Sequence, residues 1–156
     1  DNGSGALLVD ENLQSSDPHI YAAGDIASYP NRNKKRERIE HWRVAEQQGM
    51  VAARSMLGLN ESIHWHIPFF WTNQWDIRLR YVGHATRWDD IIYRGRPEDK
   101  NFIAFYIENG HLMAAAGCQR DRDLDALEFA LRHQIELTPE QMRDENFDIT
   151  AYVHVR

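Results

Sequence analysis

A glycine and an aspartate, Gly24 and Asp25, end the short apolar run IYAAGD at residues 20–25. Such a run predicts a buried strand. Glycine lets the backbone approach a ligand closely, where a side chain would clash. An aspartate at the carboxyl end of a strand can accept a hydrogen bond from a sugar-type hydroxyl, in the crevice where open α/β sheets bind ligands. The alternative is an ordinary strand followed by a Gly-Asp turn, and these six residues leave both interpretations open.

A helix is predicted over residues 42–57, because small and apolar residues recur there at three- and four-residue intervals. Gly58 is the expected C-cap. The start of such a helix carries partial positive charge and unsatisfied amide donors, so it favours anions. Glu40 and His41 stand just ahead of it. Either this helix start binds an anionic group, or Glu40 caps the helix and Trp42 packs in the core.

Two further segments carry side chains suited to binding. Residues 68–75 (PFFWTNQW) are dense in aromatics, which usually belong to a core. Residues 32–38 (RNKKRER) are basic and lie in a polar stretch, 29–37, that predicts an exposed loop. A basic run is usually a solvated loop; its alternative use is to attract an acidic protein. The side chains concerned are Lys34, Lys35 and Arg36.

The elements around these segments differ between the two parts of the chain. Residues 6–10 predict a short strand, which gives the amino-terminal part an α/β character. After a linker at residues 59–66, β-type segments follow one another without intervening helices, which predicts an antiparallel sheet. Asn109-Gly110 is a strong hairpin signal. The predicted strands cover residues 69–75, 79–84, 90–94, 102–108 and 111–118. Helices are predicted at residues 123–133 and after the N-cap Thr138.

Composition excludes several classes of protein. The 156 residues carry a net charge of −6, which argues against nucleic acid as the main partner, because phosphate binding needs clustered Lys and Arg. No apolar run approaches the roughly 20 residues of a membrane helix, so no membrane association is expected. Cys118 stands alone, and His64 and His66 have no third ligand nearby, so neither a disulfide nor a metal site is expected. These features suit a reducing, cytoplasmic compartment.

Several of these segments together resemble the second flavin-binding segment of the FAD-dependent pyridine nucleotide-disulphide oxidoreductases, above all the ferredoxin/rubredoxin-reductase and apoptosis-inducing-factor-like branch. That segment reads approximately V-D-x-x-L-x-T-S-x-P-x-I-Y-A-x-G-D. The matching pieces are VD at residues 9–10, SSDPH at 15–19, IYAAGD at 20–25 and RIEHW at 38–42. Gln14 and Ser15 stand where Arg-Thr is common. No His-Pro-Thr motif lies near the end, which favours the reductase branch over the disulfide branch.

The resemblance implies an α+β fold class. Residues 1–60 would be the terminal segment of an FAD-binding α/β domain. Residues 61–156 would be a reductase C-terminal (interface) domain, with a mainly antiparallel five-stranded sheet and flanking helices. The likeness is strong through Leu57, good over residues 68–83 and weak after Gly95.

The resemblance also implies site residues. In the family, the aspartate matching Asp25 binds the ribityl hydroxyls of the flavin, and the helix start faces the pyrimidine edge of the ring. The tryptophan of a P-x-F-W-S-D-Q segment lies beside the isoalloxazine; it matches Trp71, while Thr72 and Asn73 replace Ser-Asp. The implied cofactor-binding residues are Gly24, Asp25, Glu40, His41, Trp42, Val44 and Trp71. No catalytic residue is assigned.

By the same resemblance, the parent enzyme would pass electrons from its co-substrate NAD(P)H through FAD to a ferredoxin-type iron–sulfur carrier. The chain begins at Asp1 and lacks a Gly-x-Gly-x-x-Gly turn after any predicted strand. We therefore expect a fragment that depends on the parent's N-terminal FAD and NAD domains, does not hold FAD tightly and is inactive alone.

Two alternatives stay open. One is a non-catalytic dimerisation or partner-interface module that uses exposed Trp65, Trp75 and Trp88, since interfaces favour tryptophan. The other is an apoptosis-inducing-factor-like protein with affinity for nucleic acid, which the acidic balance disfavours.

Overall fold

The computed structural model describes residues 5–59 and 61–154. The polypeptide divides into two compact units, and the boundary lies between His66 and Ile67. Each unit has its own cluster of buried apolar side chains, so each is stabilised by its own core.

The first unit contains a three-stranded sheet in the order β1-β2-β3. Its strands are β1 Leu7–Leu8, β2 Ala27–Pro30 and β3 Arg36–Glu37. β1 and β2 run parallel, whereas β2 and β3 form an antiparallel pair. The parallel pair requires a long connection, and here the connection carries the IYAAGD run.

The predicted strand at residues 20–25 is wrong. Within it, Tyr21 forms only an isolated bridge with Gln14, and Ile20 is 49% exposed. Gly24 has a φ of +82°, a conformation that turns the chain and that glycine adopts without steric cost. The chain therefore becomes a strand only after this turn, at β2. A short apolar run can form either a turn or a strand. Its composition alone does not distinguish the two conformations.

Two other boundaries in this unit differ from expectation. β1 covers only part of the strand predicted at residues 6–10. The exposed loop predicted at residues 29–37 is wrong at both ends: Tyr29 is buried in β2, and Arg36–Glu37 forms β3. Short edge strands are commonly rich in charged residues, so their sequences look like loops.

The predicted helix is present as α1, Trp42–Met56. Its carboxyl end closes as expected at Gly58, whose φ is +74°. The N–H of Gly58 donates to Ser55 O and that of Leu59 to Arg54 O, both at 2.9 Å, which is the pattern of a Schellman motif. The helix buries one face, formed by Val44, Gln47, Gln48, Val51, Ala52 and Ser55.

The second unit is built on a five-stranded sheet in which every neighbouring pair is antiparallel, in the order β4-β5-β8-β7-β6. All five strands lie where the sequence predicts them, within a few residues. Asn109 and Gly110 have positive φ angles of 52° and 81° and form the hairpin turn. The strands are β4 Phe69–Gln74, β5 Ile77–Gly83, β6 Asp90–Arg96, β7 Asn101–Glu108 and β8 His111–Cys118.

One face of this sheet carries the core of the second unit. A row of directly opposed residues crosses all five strands and is buried throughout: Phe69, Val82, Ala115, Phe105 and Ile92. Helix α2, Asp121–His133, packs against this face with its apolar side chains. Helix α3, Pro139–Arg143, begins with the predicted Thr138 cap in a full capping box. The α+β fold class is confirmed.

Candidate functional site

The Gly24–Asp25 turn lies directly against the first half of α1. A Cβ built on Gly24 would meet the Cβ of Ala45 at 3.4 Å, so backbone and helix are already in close approach. The Gly24 N–H donates a 2.6 Å hydrogen bond to Oε1 of Gln48 on the same helix. The turn and the start of α1 are therefore neighbours within one unit.

Asp25 presents an exposed carboxylate at this turn. Within the described residues, that carboxylate has no hydrogen-bonding or ion-pair partner, whereas the Asp25 carbonyl oxygen accepts from Arg38 Nε at 2.6 Å. Arg38 also pairs with Glu40 at 2.8 Å. The turn is held through its backbone, and the acidic side chain is exposed.

Helix α1 begins without a side-chain cap. Its N-cap is His41, in an extended conformation and with no side-chain hydrogen bond to the helix. The first helical bond runs from the Ala45 N–H to His41 O at 3.0 Å, so the amides of residues 42–44 precede it. The hypothesis that Glu40 caps the helix is wrong, because Glu40 pairs with Arg38.

Trp42 and Val44 lie on opposite sides of this helix start. Trp42 is 62% exposed and Val44 is buried. The alternative that Trp42 packs in the core is therefore wrong. An exposed tryptophan beside a helix start offers apolar surface next to partial positive charge.

Gln48 is a buried partner of the turn that was not predicted from the sequence. Its side chain is 0% exposed, although glutamine is rarely fully buried. It lies in the same buried cluster of α1 as Val51 and Ala52. A polar residue on the buried face of an amphipathic helix was the available signal. It was visible in the periodicity that predicted the helix.

Tyr29 is a buried neighbour of this network. Burial raises the pKa of the Tyr29 hydroxyl, the carboxylate of Glu37 raises it further, and the side chain of Gln48 opposes the rise. Tyr29 therefore keeps its proton in the folded protein.

The basic run forms the β2–β3 hairpin, and much of its charge is engaged internally. Arg32 donates to His64 O through Nε at 3.1 Å and Nη2 at 2.6 Å. Arg36 Nη1 donates to the carbonyl oxygens of Val9 and Ser28. Lys34 and Lys35 are exposed at the hairpin. Of the three predicted docking residues, Arg36 is thus bound to the backbone of its own unit.

Trp71 belongs to the second unit, on edge strand β4, and is 46% exposed. Its ring lies 6.0 Å from that of buried Phe69, two residues earlier on the same face. In the sheet it is opposite Arg80, which forms ion pairs with Asp121 and Asp125 of α2. Trp71 therefore lies at the margin of the core, with nearly half of its surface accessible.

The described part of the chain contains no group of three or more His, Cys, Asp and Glu side chains placed to hold a metal ion. In the same residues, none of the helices combines the length and apolarity of a membrane span.

Comparison with known proteins assigns both units. Residues 2–49 match the family model "Pyridine nucleotide-disulphide oxidoreductase", and residues 69–153 match "Reductase C-terminal". Apoptosis-inducing factor 3 of Mus musculus is 35% identical over 119 residues, which cover 75% of this chain and 20% of the relative. The chain thus spans about a fifth of that relative's length.

Two solved structures are similar to this chain and agree with the family matches. A ferredoxin reductase from Rhodopseudomonas palustris superposes with a TM-score of 0.86 at 31% identity, over 94% of this chain and 36% of that chain. A covalent putidaredoxin reductase–putidaredoxin complex gives 0.85 at 25% identity, over 95% and 36%. The fold and the matches are those of a family of flavin-dependent oxidoreductases. The chain belongs to the pyridine nucleotide-disulphide oxidoreductase family, in its ferredoxin-reductase-like branch.

The first unit fits the FAD that this family implies. The missing side chain of Gly24 faces Ala45 of α1, so the glycine lets the turn that carries Asp25 pack closely on the helix start. The start of α1 carries partial positive charge that favours an anionic edge, and the carboxylate of Asp25 can accept hydroxyl hydrogens. This donor and acceptor set suits a polyol chain attached to an electron-accepting ring.

Proposed function

We propose that this chain is the carboxyl-terminal part of an FAD-dependent NAD(P)H oxidoreductase that passes electrons to a ferredoxin-type iron–sulfur acceptor. The observation that supports this most is the exposed Asp25 carboxylate on a glycine turn packed against the start of α1. Residues 1–60 would belong to the FAD-binding domain and residues 61–156 to the reductase C-terminal domain.

In this proposal, each residue has a separate task. Gly24 lets the backbone approach the ribityl chain, and Asp25 accepts a hydrogen bond from a ribityl hydroxyl. The amides from Trp42 to Val44, preceded by Glu40 and His41, face the O2 edge of the flavin. The helix start favours negative charge there by about 0.3–1 kcal/mol, and more where it is partly buried.

Trp71 would cover the isoalloxazine ring and control access to it. Stacking of two aromatic systems contributes roughly 0.5–1.5 kcal/mol beyond burial. Bound FAD would supply the hydride and single-electron transfer chemistry. The protein contributes the position of the ring, the charge around it and its shielding from water.

The acceptor would dock near the basic hairpin. Lys34 and Lys35 are exposed there, and opposite charge raises the association rate of weak, transient complexes. One structural relative is a reductase in complex with putidaredoxin, which supports a small carrier protein as partner. Arg36 would act mainly by holding the hairpin.

The complete natural gene product that carries this sequence tests the proposal. We expect it to purify as a yellow flavoprotein that reduces ferricyanide with NADH or NADPH. The isolated 156-residue chain should be colourless and inactive. A yellow 156-residue chain that turns over would contradict the proposed fragment role.

A matched pair of variants tests the site. Asp25→Asn removes the charged acceptor, and a hydrogen bond to a charged group contributes about 1.5–3 kcal/mol. The FAD dissociation constant should therefore rise about 10- to 100-fold. Glu46→Gln makes the same charge change at an exposed position on α1 and should leave the constant within about twofold. Equal effects of the two variants would count against Asp25.

A further inference from the structure

The hydrogen bond between Gln48 and Gly24 ties two elements that meet at the proposed site. Gln48 is fully buried in the middle of α1, and its Oε1 accepts from the Gly24 N–H at 2.6 Å. A buried polar side chain costs free energy unless it is hydrogen-bonded. An apolar residue would fill the same position at less cost, so this amide has a specific structural task.

The other end of the Gln48 amide faces the interior. Nε2 is buried and has no hydrogen-bond partner of normal geometry among the described residues. The Gln48 side chain lowers the pKa of the Tyr29 hydroxyl and so opposes the effect of burial. Tyr29 belongs to β2, the strand that follows the turn. Gln48 therefore stands between the helix, the turn and the strand.

The turn needs such a restraint. Glycine has more backbone freedom to lose than any other residue, and Gly24 adopts a positive φ directly before Asp25. Contact with Ala45 limits how far the turn can move toward the helix, but van der Waals contact does not fix its orientation. A hydrogen bond to a side chain that is held in a packed core fixes the orientation of the turn.

We propose that Gln48 is a positioning residue, which fixes the Gly24–Asp25 turn on α1 and so orients the Asp25 carboxylate toward a ribityl hydroxyl. This inference rests on the proposed function, because it assumes that Asp25 binds the flavin. Gln48 itself touches no cofactor.

Amide hydrogen exchange of the 156-residue chain, followed by NMR, tests the hydrogen bond itself. Gln48→Met keeps the size of the side chain and removes the acceptor, so the Gly24 amide should exchange at least tenfold faster. Gln48→Glu retains an acceptor oxygen and should restore protection to within about threefold. Gln47→Met alters the adjacent buried glutamine and should leave Gly24 unchanged. Unchanged exchange in Gln48→Met would overturn the inference.

A double-mutant cycle in the complete gene product tests the positioning role. Gln48→Met should weaken FAD binding at least fivefold when Asp25 is present, and less than twofold in the Asp25→Asn background, because coupled residues are not additive. An equal fold-loss in both backgrounds would mean a general structural effect and would overturn the Gln48 role alone. If Asp25→Asn has no effect on FAD binding, the proposed function itself fails.

Discussion

The Nε of Arg94 donates a 2.9 Å hydrogen bond to the carbonyl oxygen of Met142, which joins the edge strand β6 to the end of α3. The same guanidinium donates to the carbonyl oxygens of Gln141 and Phe147. Burial lowers the pKa of Arg94, and the charge of Asp123 opposes this shift. A buried cation held by three main-chain acceptors fixes the carboxyl-terminal segment onto the sheet.

Arg94→Met should therefore destabilise the second unit by about 3 kcal/mol, since it leaves several buried carbonyl groups unpaired. The free energy of unfolding in urea, followed by circular dichroism, measures this. Arg96→Met on the same strand is the control, because Arg96 is exposed and should change the value by less than about 0.5 kcal/mol. Similar losses in both variants would show that the carbonyl contacts of Arg94 contribute little.

Gly83→Ala should also destabilise the second unit, by about 3 kcal/mol. Gly83 has a φ of +85°, and an added Cβ would lie 2.4 Å from Met113 O. Gly110→Ala provides the comparison: φ is +81° and nothing lies within 4 Å. Gly110→Ala should lower the free energy of unfolding only through backbone strain, by about 1–2 kcal/mol. Thermal unfolding of the two variants measures which substitution is more destabilising. A greater loss of stability in Gly110→Ala would contradict the prediction.

Tyr29 predicts a loss of stability at alkaline pH. Its pKa is raised by burial and by Glu37, so the folded chain keeps a proton that the unfolded chain releases near pH 10. The free energy of unfolding should fall as the pH rises above about 10, by up to about 1.4 kcal/mol per pH unit, with no such loss below it.

Urea titrations between pH 8 and pH 11 measure this slope. Tyr29→Phe should flatten it, because the ionisable group is gone. Tyr93→Phe, at a half-exposed tyrosine, should behave like the wild type. A slope that Tyr29→Phe leaves unchanged would assign the alkaline effect to other groups.

Trp71→Ala in the complete gene product should increase the fluorescence of bound flavin and weaken FAD binding about three- to tenfold, because it removes the aromatic side chain that we propose covers the ring. Trp75→Ala is the matched control. Trp75 follows the same strand and is 99% exposed, so its loss should leave both readouts near the wild-type values. If Trp75→Ala has the larger effect, the proposed position of Trp71 is wrong.

The sequence predicted the second unit better than the first, for physical reasons. Strands β4 to β7 are rich in aromatic and β-branched residues, and Asn109-Gly110 strongly favours a tight turn. Residues 20–25 are too short to distinguish a strand from a turn, and their conformation depends on contacts with α1 that lie 20 or more residues away, such as Gly24 with Gln48.

The site was predicted through resemblance, and the environment of each residue was not. Exposure of Trp42 and the capping position of His41 depend on how the chain enters the helix. The internal bonds of Arg32 and Arg36 depend on which carbonyl oxygens the fold leaves uncovered. The number of charged residues in a sequence does not show which of them form hydrogen bonds within the fold.

The anchored arginines have a kinetic consequence. Because Arg32 and Arg36 bind main-chain oxygens, Lys34 and Lys35 lie on a hairpin that is already ordered, and the carrier that we propose would bind there with little further loss of loop entropy. The association rate with an acidic carrier should then depend only weakly on ionic strength, because two lysines attract the carrier rather than a broad basic surface.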